Sequence, residues 1–212
     1  MGQYSLQDIL GLIEEKGDPH GVDLSQADLS EIDLGTWAIL DELNRWRESH
    51  LEETPPWYSA ETNGINLQEA SLQGAKIQKA YLQGANLQGA DLREVNLDEA
   101  NLQSANLSLA NLSKATLQKA NLQLANLQLA NLQEADLRWA DLQQSILVRA
   151  NLHKADLQGA ALREANLHKA DLREANLQGA DLGGANLQDA NLVGANLLDA
   201  ILKETNLEGA IQ

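Results

Sequence analysis

The chain has 212 residues, with 31 acidic against 15 basic side chains, no cysteine, no phenylalanine and only 3% aromatic residues. The missing cysteines exclude disulfides, thiolate metal ligands and thiol nucleophiles, and a net charge of −16 argues against direct binding to nucleic-acid phosphates. With 43% hydrophobic residues but so few rings, any core has to be filled by small and aliphatic side chains.

Reading from the N-terminus, residues 5–16 predict a short amphipathic helix. Ser5 and Asp8 suit a capping box, Leu6, Ile9, Leu10 and Ile13 make an apolar face, and Gly17 and Pro19 end it. Neither a basic leader followed by an apolar run nor a membrane-length apolar stretch occurs, so the expectation is a soluble cytoplasmic protein with no membrane association.

Three five-residue units follow, marked by Val22-Asp23-Leu24, Ala27-Asp28-Leu29 and Ile32-Asp33-Leu34. The pattern then breaks. Residues 37–51 predict a second helix, with Thr36 as its N-cap and Trp37, Leu40, Leu43, Trp46 and Leu51 roughly on one side. Pro55-Pro56 ends it, and Ala60-Glu61-Thr62-Asn63-Gly64 returns in phase with everything downstream. Residues 36–58 therefore read as an insertion into an otherwise continuous repeat.

From Ile65 to Gly209 the chain runs through 29 consecutive five-residue units without a slip. The third position is Leu in all but Ile77, and the first is Ala in all but Ile65, Val95, Ser145 and Thr205. The second position is mostly Asn or Asp, and the fourth and fifth are mostly polar. A helix cannot use this period, because a five-residue step turns the leucines by about 140° and scatters them around the axis. A straight strand fails too, since successive leucines would alternate faces. Both problems vanish if the chain turns a corner after each unit: Ala and Leu then point inward on every side, and the coils stack at about 4.8 Å. Glycine at many fifth positions suits such corners. The period alone leaves the number of sides open.

The A-[D/N]-L-x-x run resembles the pentapeptide-repeat family, and its Leu-rich form with a short N-terminal helix is most similar to cyanobacterial members. The resemblance implies an all-β solenoid, a right-handed quadrilateral β-helix with four units per coil, carrying a capping helix and one helical insertion. The expected organisation is 1–21 as cap and lead-in and 22–212 as the β-helix, interrupted at 36–58, in about eight coils and roughly 38 Å of rod.

Such a rod offers no evident active-site pocket. No phosphate-loop, nucleophile-elbow or zinc-protease motif is present, so the chain reads as a non-enzyme with no cofactor and no metal. His153 and His168 recur in a duplicated Asn-Leu-His-Lys-Ala-Asp-Leu segment, which explains them better than metal binding does. The expected function is a scaffold or protein-interaction module with a protein partner. Candidate contact residues are the aromatics of the insertion, Trp37, Trp46, Trp57 and Tyr58, together with Leu109, Leu124, Leu129 and Trp139, which with Val148 break the polar rule for outward positions. Ile201, Leu202 and Leu207 in the last coil suggest a homodimer through the C-terminal end. The family resemblance also suggests DNA mimicry toward DNA gyrase. Those relatives, however, favour Phe at the third position and a strongly acidic rod. Here the rod is Leu-based, and the acidity is concentrated in residues 1–64, which balance to −11 against −5 for the rest.

Overall fold

The computed structural model describes residues 28–29 and 66–211. Every second-position residue pairs in parallel with the residue 20 positions on: Asn66 with Asn86, Ser71 with Asp91, Lys76 with Asn96, Tyr81 with Asn101, and so on to Asn191 with Ile211. Twenty residues are four units, so each coil has four sides. Side one carries Asn66, Asn86 and their successors, side two Ser71 and Asp91, side three Lys76 and Asn96, and side four Tyr81 and Asn101. Asp28 pairs with Ser71 on side two, although 43 residues separate them, 23 more than an uninterrupted coil needs. Residues 36–58 contain that many, but this segment and the predicted helices of the N-terminal third lie outside the described residues.

The core is what the repeat demands. From Leu67 to Leu192 nearly all first- and third-position side chains are buried, forming one continuous column of leucines with alanines between them. Alanine at the first position leaves room for the leucines of the other sides. Val95 substitutes for it once, and Ser145 once, its hydroxyl donating to the Leu142 carbonyl at 2.6 Å. From Ala195 onward the inward residues are only partly covered.

A unit with Asn or Asp at its second position, lying between two neighbouring coils, accounts for all five of its backbone N–H groups. In the unit after Leu67, the Ala70 N–H closes a turn onto the Leu67 carbonyl at 3.1 Å. Second-position N–H groups donate to the preceding coil (Asp91 to Ala70, 2.9 Å). Third- and fifth-position groups donate to the following one (Leu67 to Asn86, 2.7 Å; Glu69 to Gln88, 2.9 Å). The fourth N–H has no backbone partner within reach. It donates instead to the second-position side chain two residues back, as Gln68 does to Asn66 Oδ1 at 3.2 Å and His153 to Asn151 Oδ1 at 3.1 Å. This Asx turn is the physical reason for Asn or Asp at the second position. Where Thr116 occupies it, Gln118 N–H turns to Asp98 Oδ1 of the preceding coil at 2.8 Å. The second and fourth positions are consequently half-buried for the most part, packed between copies of themselves, rather than fully solvated.

The corner is a turn with its third residue in the left-handed region. All fifth positions from Glu69 to Gly209 have φ between 55° and 74°, and 21 of them are not glycine. None is Val, Ile or Thr, the residues that tolerate this conformation worst.

Candidate functional site

A rod with a sealed backbone and a dry core can act only through its outward positions. Most of these are engaged in their own lattice. On side one, Asn86 Nδ2 donates to Asn66 Oδ1 at 3.1 Å, Asn106 to Asn86 at 3.4 Å and Asn126 to Asn106 at 3.4 Å. On sides two and three, Asp91-Leu92-Arg93, Asp136-Leu137-Arg138 and Asp171-Leu172-Arg173 repeat one local pair, in which the guanidinium bonds both carboxylate oxygens at 2.6 and 2.8 Å. The arginine hydrogen bonds hold the Asp91 and Asp171 carboxyls below the usual range. At Asp136 burial pushes upward, and Arg138 outweighs it. His153 and Lys154 both reach Glu174, at 3.3 and 3.6 Å, and His168 Nδ1 lies 3.1 Å from the Gln188 carbonyl. Among the described residues no His, Asp and Glu group could hold a metal ion. A shallow hollow of about 180 Å³ on side four is lined by Gln123, Gln143, Gln144, Arg163 and Glu164. Gln144 there donates to Glu164 at 2.9 Å, so this too is a surface polar network.

The apolar outward residues are different, because nothing in the described rod satisfies them. Leu109 is 55% exposed, Leu129 45% and Leu124 50%. Leu109 and Leu129 stand one above the other at one corner of side one, the Leu109 N–H donating to Gln128 of the next coil at 3.0 Å. Leu124 occupies the other corner of that side, immediately before Ala125-Asn126. The structure adds Ile146, 41% exposed, which sequence reasoning missed. It sits where the ladder calls for asparagine and pairs with Asn126. The signal was present in the sequence, as the one apolar second position on a side otherwise all asparagine. Val148, half-buried, lies beside it and accepts from Leu129 N–H at 3.0 Å. Five apolar side chains thus share one face, with Leu124 at one edge and Leu109 and Leu129 at the other. No charged residue belongs to this side between Gln88 and Val148.

Ile146 interrupts the asparagine ladder and leaves the Val148 N–H without an Asx acceptor. Ile146→Asn should therefore stabilise the rod by about 0.5–1.5 kcal/mol per hydrogen bond regained, read as a rise in the denaturation midpoint.

Trp139 is 59% exposed but stands apart, at the corner of sides three and four. Its indole lies over Gly159 of the next coil, where a Cβ would collide with the ring. Trp37, Trp46, Trp57 and Tyr58 lie outside the described residues.

Eight copies of a pentapeptide-repeat family model match between residues 60 and 211. Among curated protein sequences none matches the chain. Among solved structures it is similar to HetL, a pentapeptide repeat protein involved in heterocyst differentiation regulation from the cyanobacterium Nostoc sp. strain PCC 7120. That similarity has 28% identity and a TM-score of 0.53, and covers 98% of this chain and 97% of that one. Rfr23 from the cyanobacterium Cyanothece 51142 matches at 28% identity over 66% of this chain and 90% of its own, with a TM-score of 0.39. QnrB1, a plasmid-mediated fluoroquinolone resistance protein, matches at 19% identity over 69% and 83%, with a TM-score of 0.37. The unbroken five-residue phase, the 20-residue pairing register and the family match agree: this chain belongs to the pentapeptide-repeat family, whose members form right-handed quadrilateral β-helices.

Proposed function

We propose that the protein is a non-enzymatic interaction module, a rigid rod that presents outward side chains to a protein partner. The observation that carries this reading is the cluster of Leu109, Leu124, Leu129, Ile146 and Val148 on a charge-free stretch of side one. In a fold whose outward positions are mostly polar and bonded along the coils, several exposed apolar groups on one charge-free face mark a surface suited to a partner. The whole-length similarity to HetL, a protein involved in regulation, supports a role exerted by binding rather than by chemistry. DNA mimicry toward gyrase draws less support. Residues 66–211 divide their net charge of −5 as −1, −1, −1 and −2 among the four sides, which builds no acidic stripe.

The test is affinity capture from the source cells with the full chain and with the L109Q/L124Q/L129Q variant. Expected is at least one specific partner whose recovery falls with the variant. An identical set of bound proteins for both would refute the reading of this face.

A further inference from the structure

We infer that side one is a self-association face, at which two copies of this chain meet with their rods antiparallel. The inference rests on the interaction-module reading and names the partner of one face. Two copies that each carry −16 repel, so they meet most readily on a face where like charges are not opposed. Side one supplies such a place: it has no charged residue between Gln88 and Val148, and there it also carries the outward Leu109, Leu129, Ile146 and Val148.

The corner column of that side is self-complementary. In chain order it reads Glu69, Gly89, Leu109, Leu129, Arg149 and Lys169, each 20 residues from the next. A two-fold axis lying in the face, perpendicular to the rod and level with the gap between Leu109 and Leu129, reverses this column onto itself. Leu109 of one copy then faces Leu129 of the other, Gly89 leaves room for Arg149, and Glu69 faces Lys169. Every contact occurs twice, as an isologous interface requires. At the opposite corner Ser104 faces Leu124, and Gly84 faces Gln144. No like charges are opposed in either column. Lys169 is only loosely held within its own chain, 3.9 Å from an exposed Asp189 carboxylate, so it can turn to a second acid.

The corner column also chooses antiparallel over parallel. Only a two-fold axis across the rod lays the Leu109–Leu129 column on itself and sets Glu69 against Lys169, whereas an axis along the rod would set that column against the opposite corner. From Glu69 to Lys169 the face is about 25 Å long and about 10 Å wide. That is small beside the ~800 Å² per partner of a standard interface, so the dimer is reversible and concentration-dependent.

Sedimentation velocity of the full chain should show a monomer–dimer equilibrium, and L109Q/L129Q should weaken it about tenfold or more. Both residues point outward, and glutamine already occupies the same corner conformation at Gln144. A charge-swap series guards against a folding artefact: Glu69→Lys and Lys169→Glu should each weaken the dimer, and the double swap should restore it. Because the chain has no cysteine, orientation can be read by mixing L109C with L129C protein under mild oxidation. The mixed disulfide should exceed either self-disulfide. A strict monomer up to about 1 mM overturns the inference while leaving binding to another protein intact. So does a dimer indifferent to L109Q/L129Q but weakened by Leu202→Gln, which would place the contact at the C-terminal coil. A predominance of self-disulfides overturns the antiparallel arrangement.

Discussion

Replacing Leu127 by alanine should destabilise the rod by about 2–5 kcal/mol. Leu127 is fully buried at mid-rod, on the side that carries the apolar cluster. Its neighbours one coil away on either side are Leu107 and Leu147, also buried, and neither can move into the gap without leaving its own layer. The surrounding first positions are alanines and Ser145, all too short to fill it. Collapse, which softens such substitutions in more pliable cores, is therefore blocked here by the regular stacking. Unfolding in urea should show the midpoint falling without recovery of the lost stability in a second variant such as Ala125→Val, because the extra methyls point into a layer that is already full. Repeat architectures add a further consequence. Stability is a sum of unit and nearest-neighbour terms, so a mid-rod lesion weakens coupling between the two halves. Hydrogen exchange should then show the coils around Leu127 opening ahead of those nearer Leu187.

Gly179→Val should cost about 1–2 kcal/mol through backbone strain alone. Gly179 sits at φ +66°, and a Cβ there would meet nothing within 4 Å, so no collision contributes. Gly159→Val meets the same strain at φ +65° and also displaces the Trp139 indole that lies over the glycine. Its cost should exceed that of Gly179→Val by about 1 kcal/mol, with a change in tryptophan fluorescence that the Gly179 variant lacks. Equal costs would mean that the ring contributes nothing by resting there. Gly179→Val by itself sets an upper bound on the strain at each of the 21 non-glycine corners, none of which is β-branched. The rod tolerates them because the hydrogen bonds on either side of each turn hold the conformation in place.

Much of this fold could be read from the chain alone. Alanine and leucine two apart, repeated every five residues, can share an interior only if the backbone turns a corner between units. The first and third positions do point inward along the described rod. The period says nothing about the number of sides, because three, four or five corners per coil would leave it unchanged. The 20-residue pairing register settles it. The asparagine-rich second position was visible as a preference, but its cause was not. Only the full accounting of backbone donors shows the fourth N–H turning to that side chain. The left-handed corner had a readable trace, the lack of any β-branched residue at the fifth position, which glycine content alone did not bring out.

For the site, the outward residues that are out of character were legible along the chain: Leu109, Leu124, Leu129, Trp139 and Val148 each break a local rule that can be checked one unit at a time. Which of them act together was decided only by the tertiary structure. Stacking brings residues 20 apart into contact and brings corners five apart to opposite edges of one face. By that geometry Ile146 joins the leucines across Asn126, and Trp139 is left on another corner over Gly159. The local rule depends on the five-residue period, whereas adjacency depends on how many periods close a coil.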